Sequence, residues 1–542
     1  DPHMKNYFFA IVSTTIVCGF ATGFNPTTSN CNATEPAWES LFNGKNLKGW
    51  KNPFDWGQID VNQNKEIVLR GERKYFLVAD RRFKDFELEV ELNVPAGGNS
   101  GIQFRSHYHH NRLWGYQAEV DTSDRQWAGG LYDEGRRAWL VPLKDNPTAQ
   151  AAFNNSAWNH YRIRAVGDHI QIWVNGIVTV DTHDAVTSEG YIALQHHGEK
   201  GLTYRFRNVR VREIEAPPTL NLITFGSCCR QEREQPIWET IAAQQSQLFL
   251  MIGDNIYGDS EDIDILRTKY ETLGNNSGFK KMRATTPFLA TWDDHDYGVN
   301  DGGVEFPIKK ASQQLFNDFF NVPQGAGSRR HLGVYDSHVF GPVGKRVQII
   351  LLDTRYHRTP LLKWPEDKRK TPGPYAPNSD PTATILGAEQ WKWLEQQMQV
   401  PAEIRIIASS IQFLPAEHGW EMWENYPRDR QRLLDLISSS GGRSIVISGD
   451  RHIAEISKIT IGDRQFDIYD ITSSSLNVPS GGGNAGEPNR YRTVDDNYPL
   501  VNFGSIEINW EKKDPEIKLK IHDLQGQAVF LNQFRLSNIT AK

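Results

Sequence analysis

Beyond Pro217-Pro218 the chain repeatedly strings four to six largely apolar residues together and then stops, at 222–225, 248–252, 347–352, 404–408 and 445–448. Each run is too short for a helix and lacks polar alternation, so it reads as a strand buried on both faces, the kind parallel sheets use. Helical patterns fall between the runs, near 236–247, 308–320, 389–398 and 428–437. Strands alternating with helices predict an α/β layered domain. The tail at 458–534 returns to alternation and is expected to complete a second sheet, with "VPSGGGNAGEP" (478–488) as a flexible loop.

Upstream the texture differs. "HYRIRAVGDHIQIWVNG" places Tyr161 and Ile163, then Ile170, Ile172 and Val174, at period two around Gly167-Asp168. That is a hairpin signature, and "DFELEVELNV" (85–94) alternates in the same way. With no convincing amphipathic helix, residues 38–215 predict an antiparallel β-sandwich of jelly-roll type. The segment 216–220, with its proline pair, is the expected linker to a second domain at 221–542. A chain of 542 residues exceeds what one core holds, in line with two domains.

Residues 1–3 read as a cloning remnant and 4–23 as a secretory signal peptide, one Lys before an apolar run and a small-residue end, followed by a leader at 24–37. The expected location is therefore secreted or periplasmic, and no later segment has the roughly 18 apolar residues a membrane span needs. Net charge is −6, which argues against a nucleic-acid-binding surface. Of four cysteines, Cys18 falls in the signal and Cys228-Cys229 are adjacent, so no disulfide framework explains the pair.

Four strand ends carry unusual side chains. "LITFGSCC" ends at Cys228-Cys229, and "LFLMIGDNIYGDS" sets Asp254 and Tyr257 three positions apart. "FLATWDDHDYGVND" supplies Asp293, Asp294, His295, Asp296, Asn300 and Asp301; "SIVISGDRH" ends in Asp450 and His452. In open α/β sheets, function gathers beyond the carboxyl ends of strands. Singly each residue has an ordinary role, such as a buried Cys, a capping Asp or a packed Tyr. Together they concentrate more negative charge than one crevice tolerates without cations, which predicts a metal site.

The pieces "FGSC", "GDNIY", "TWDDHDYGVND", "LDTRYHR" and "SGDRH" follow the order of the alkaline phosphatase D family, which the chain resembles over about 221–540. These are metallophosphoesterases similar to purple acid phosphatases in their metal chemistry. The resemblance implies a ferric ion (Fe3+) on Cys228, Asp254, Tyr257 and His452. Asp254 would bridge to calcium (Ca2+), held also by Asn300 and Asp450. Phenolate and carboxylate oxygens suit a hard ferric ion, and oxygen donors suit calcium. Cys229 stays open as an alternative to Cys228, and Asp294 or Asp296 to Asn300. The implied reaction is hydrolysis of phosphodiesters and/or phosphomonoesters by a metal-bound hydroxide at a binuclear Fe/Ca site. Catalytic candidates are Arg355 and then Arg230 for phosphoryl charge, and His295 beside the ligands. Tyr426 and Trp423 are expected near the pocket, Gln412 at a further strand end.

In the first block, "NSGIQFRS", "GYQAEVD", "GGLYDE" and "GYIALQHHG" resemble a concanavalin-type sandwich family described as 3-keto-disaccharide hydrolase-like. The resemblance implies a fold suited to a glycan ligand. Arg105, Tyr116, Gln117, Glu119 and Tyr132 are expected around a sugar-sized cleft, with His107, His109 and His110 on a solvated loop or as metal donors. The leading expectation is an exported metal-dependent phosphoesterase with a glycan-type domain, acting on a phosphoester small molecule or a sugar-phosphate polymer. Two alternatives are a sugar-active hydrolase or lyase working through the sandwich, and a carbohydrate-binding protein with a structural metal site. Cys228, Asp254, Tyr257, Asp450 and His452 favour the first, since a binding module needs no such set.

Overall fold

The computed structural model describes residues 37–541 apart from 216 and 462–464. The expected cloning remnant, the signal peptide and the leader up to 36 lie outside the described residues. The chain folds as two domains, an antiparallel sandwich followed by a mixed α/β domain. In the sandwich, Asn159–Val166 and His169–Val174 pair about Gly167-Asp168, with Tyr161 opposite Val174 and Ile163 opposite Ile172. Alternate residues of these strands meet Ile102, Phe104 and Leu194 of the second sheet in one core. Period-two patterning therefore becomes one buried face per sheet.

The α/β domain stacks two six-stranded sheets. In the first, Phe288–Thr291, Leu248–Ile252 and Leu222–Gly226 run parallel, and Phe503–Asn509, Glu516–His522 and Ala528–Arg535 continue antiparallel. In the second, Val347–Leu351, Ile404–Ala408, Ser444–Ser448 and Phe466–Ser473 run parallel between the antiparallel edges Asp336–Phe340 and Ala454–Ile461. The unbroken apolar runs now have a reason. Leu248, Leu250 and Ile252 enter the core between the sheets, whereas Phe249 and Met251 pack outward with Trp238 and Phe279 of the helices Ile237–Ala243 and Ser277–Thr285. In the second sheet Ile349 and Leu351 point inward, and Ile350 meets Trp391 and Leu433 of Gly387–Gln397 and Pro427–Ser439.

The tail serves both sheets. Its first strands complete the second sheet, Phe466–Ser473 parallel and Ala454–Ile461 antiparallel, and its last three extend the first sheet antiparallel. Ile517, Leu519 and Ile521 face the shared core while Lys518 and Lys520 are less buried, so these strands are covered on one face only and alternate.

The carboxyl ends of the parallel strands from both sheets meet along one seam. Thr291 Oγ1 of the first sheet donates to the Leu352 carbonyl (2.7 Å), and Ser410 Oγ beyond the second donates to Asp293 Oδ1 (2.8 Å). Gly253 sits at a tight point of this seam. Its φ is +110°, and a Cβ there would lie 2.6 Å from Asp293 Cβ and 2.9 Å from Ser410 Cβ. Gly253→Ala should therefore lose about 2 kcal/mol or more in denaturant unfolding through strain and overpacking. Gly325→Ala, with open space around its Cα, should stay within about 0.5 kcal/mol. Equal midpoints for the two variants would contradict this reading of the seam.

Candidate metal centre

Each parallel strand delivers a polar side chain within two or three residues of its end. Cys228 follows Leu222–Gly226, and its Sγ lies 3.4 Å from Asp254 Oδ2 and 3.2 Å from Ser474 Oγ. Asp254 follows Leu248–Ile252, and Tyr257, one turn on, brings its hydroxyl 2.9 Å from His452 Nε2. Ligand atoms of Cys228, Asp254 and His452 all lie within 4.8 Å of one another, although the residues span more than two hundred positions of sequence. A second such group joins Asp293, Asp294 and Asp450; two others join Asp294 with Asp254 and His295, and with Asp301 and Glu421.

The backbone has bent to bring them there. Cys228, Asp254, Asp450 and His452 have φ of 61°, 49°, 70° and 56°. The left-handed region costs a non-glycine residue energy, and such residues cluster where function over-determines the geometry. Here it turns each side chain sharply off its strand axis toward the seam.

The electrostatics fit a cation. Asp254 Oδ1, Asp293 Oδ2 and Asp450 Oδ2 are buried without a hydrogen-bond partner among the described residues. Buried polar atoms are otherwise almost always paired. Burial, reinforced by Cys228, pushes Asp254 well above the ordinary carboxylate range, and burial does the same to Asp450. Burial also pushes Cys228 up to about 12 and Tyr257 well above its usual range. A positive ion reverses such preferences, deprotonating thiols and phenols that bind it.

His295 stands beside these groups with its Nδ1 2.5 Å from Asp259 Oδ1 and its ring 4.3 Å from that of Tyr257. Burial alone would lower its pKa, but Asp294, Asp254 and Asp259 outweigh burial and lift it to about 11. The Arg230 guanidinium lies 4.4 Å over the Tyr257 ring, and its buried Nε has no partner among the described residues.

Several expected residues are placed otherwise. Arg355 is fully buried, its Nε donating to Asp293 (2.5 Å) and its Nη1 to both oxygens of Glu421 (2.6 Å), so its charge is already spent inside the protein. Asn300 is exposed on the turn after the short helix Asp294–Tyr297, whereas Asp294 shares three of the four ligand groups. Cys229 packs in the apolar layer with Ile237 and Trp238. Gln412 is bound to Glu455 (2.8 Å) and Thr472 (3.0 Å), and Trp423 and Tyr426 are core residues. The expected flexible loop is anchored: Ser480 donates its N–H to the His452 carbonyl (3.0 Å), Asn484 donates to that of Arg451 (2.7 Å), and Glu487 pairs with Arg451 (2.6 Å). Glu421, Asp259 and Ser474 escaped the sequence reading. Asp259 carried a signal, a second Gly-Asp five residues after the first.

In the sandwich, Arg105 is buried against Asp85 (3.0 Å) and Tyr116 belongs to the core, so neither lines a cleft. Gln117 and Glu119 alternate with core residues in a buried polar chain. Gln117 donates to Glu119 (2.6 Å), Asn99 donates to Glu119 (2.7 Å) and Gln195 donates to Gln117 (3.1 Å). Burial pushes Glu119 up to about 7. Tyr132 is half-buried against Trp139, with ring centres 5.2 Å apart. His107 stacks on Trp114 at 6.1 Å, His109 and His110 are exposed, and none joins a metal-capable group among the described residues. No helix among those residues is long and apolar enough to cross a membrane.

Comparison with known proteins fits this architecture. Residues 37–212 match the 3-keto-alpha-glucoside-1,2-lyase-like domain, and residues 223–518 match the PhoD-like phosphatase family. Alkaline phosphatase D of Bacillus subtilis (strain 168) is 23% identical over 302 residues, 48% of this chain and 51% of that protein. The chain thus spans about half the length of this curated relative. A solved structure described as PhoD is similar at 14% identity and a TM-score of 0.49, covering 93% of this chain and 92% of the other. The carbohydrate binding module CBM66 from Bacillus subtilis is similar at 22% identity and a TM-score of 0.25, covering 31% of this chain and 98% of the module. The phosphatase match takes in more than half of the sequence, and the chain belongs to the PhoD-like phosphatase family.

Proposed function

We propose that the α/β domain is a phosphoesterase that works at a pair of cations held along the seam. The observation that carries this reading is the convergence of Cys228, Asp254 and His452 beside three buried, unpartnered carboxylate oxygens. Ferric iron would be held by Cys228, Asp254, Tyr257 and His452. Calcium would be held by Asp254, Asp450 and Asp294, with Asp293 adjacent; Asp294 replaces the exposed Asn300 in this role. When bound, such ions supply Lewis acidity at the phosphoryl oxygens and a water acidic enough to attack near neutral pH.

The chain's own groups have distinct tasks in this proposal. His295, fixed by Asp259, holds the proton that the departing ester oxygen needs. Arg230, beside Tyr257 with its Nε unpartnered among the described residues, binds the phosphate in place of Arg355. Arg355 instead positions Asp293, and Glu421 holds Arg355 and Arg358 together. The sandwich would present the glycan part of a sugar-phosphate substrate, and the reading of residues 4–23 as a signal peptide would place the protein outside the cytoplasm. A second reading, sugar chemistry in the sandwich itself, draws on Glu119, poised near neutrality in its amide chain.

Asp254→Ala should reduce phosphoester turnover about a thousandfold or more while the circular dichroism of the fold persists, since both cations lose a shared ligand. Activity near that of the unaltered chain would overturn the site. The iron-loaded protein should absorb visible light through phenolate charge transfer, and Tyr257→Phe should bleach that band; a colourless but active protein contradicts the ferric assignment. Glu421→Gln should cost about 3–5 kcal/mol in urea unfolding, because it leaves two buried guanidinium groups short of charge. A cost below about 1 kcal/mol would exclude the clamp.

A further inference from the structure

Trp420 is unusual for an indole in this domain. It is 38% exposed, while its neighbour Glu421 is buried at 2% and turned inward onto Arg355 and Arg358. The loop that carries Trp420 has little freedom to retract. Gly373 donates its N–H to the His418 carbonyl (2.7 Å), Tyr375 donates to that of Gly419 (2.9 Å), and the Trp420 N–H donates to His418 Nδ1 (3.1 Å). Gly419 has φ of +72°, and a Cβ on Gly373 would collide with the Gly419 backbone. The indole is therefore held out toward water by a rigid double loop.

A cationic neighbour ties it to the seam. The Arg451 guanidinium lies 5.4 Å from the indole ring centre, pairs with Glu487 (2.6 Å), and brings Nη1 to 3.8 Å from Asp450 Oδ2. Arg451 is 8% exposed, its Nε is buried without a partner among the described residues, and it stands between Asp450 and His452 in sequence. A flat apolar face beside a fixed cation, one side chain away from the candidate metal ligands, is a surface for a ring that enters with a phosphate attached.

We propose that Trp420 and Arg451 form a shelf for the organic half of the phosphoester, favouring alcohols with a flat ring, aryl or pyranose, over small flexible ones. This rests on the phosphoester reading of the seam. A preorganised indole gains contact area without ordering a loop, so its contribution falls on substrate binding.

The test uses the full chain loaded with ferric and calcium ions. It compares a p-nitrophenyl ester with the matching glycerol ester, using whichever of the mono- and diester pairs is turned over. Trp420→Ala should lower the ratio of kcat/KM, aryl over glycerol, about tenfold, with the loss in KM. Trp420→Phe, which keeps a ring, should hold that ratio within about threefold. Trp420→Gln carries the alanine expectation where alanine unfolds the loop. An unchanged ratio, or an equal fall for both esters, overturns the shelf and leaves the phosphoester reading standing. Turnover of neither ester by the unaltered chain overturns both.

Discussion

The fold is organised around a problem of charge. Asp254, Asp293, Asp294 and Asp450 sit together at the seam of two apolar sheets, and carboxylates removed from water repel one another and are costly to ionise. The protein answers part of this itself. Arg355 and Arg358 are buried with Glu421 and Asp293 and balance those two acids. What is left is Asp254, Asp294 and Asp450 beside a thiol and a phenol, with His295 the nearest cation, a donor set that could hold metal ions. The arginines therefore look inward rather than toward substrate.

Parallel strands in two facing sheets explain how one place collects so many polar side chains. Each strand ends on the same edge, and each needs only one or two residues to cross the gap. Positive φ at Cys228, Asp254, Asp450 and His452 provides that crossing. The strain is affordable because the strands behind it are buried on both faces and firmly held. Domain stability and site geometry thus share one cause.

Much of this was legible in the sequence because burial leaves a plain pattern. Runs without polar alternation marked the parallel strands, and alternation marked both the sandwich and the one-sided tail strands. Cys228, Asp254, Tyr257 and His452 could be found because they stand at the ends of those runs. What sequence could not supply was which charges meet. Arg355 has the position of a substrate-binding arginine, and only its distances to Asp293 and Glu421 remove it from that role. Asn300 and Asp294 lie six residues apart in one motif, and the short helix Asp294–Tyr297 buries Asp294 and leaves Asn300 exposed. Pairings over long loops, such as that of Glu421, leave no local trace. Nor did the glycine-rich run at 481–483 betray that its loop is bonded to His452 and Arg451.

The most direct measurement is anomalous X-ray diffraction at the iron edge from crystals of the metal-loaded chain, with elemental analysis of the same material. A single strong iron peak within roughly 2–2.4 Å of Cys228 Sγ, Asp254, Tyr257 Oη and His452 Nε2, lengths typical of coordination bonds, is the result this account requires. An iron-free protein, or iron bound away from those four side chains, would contradict it.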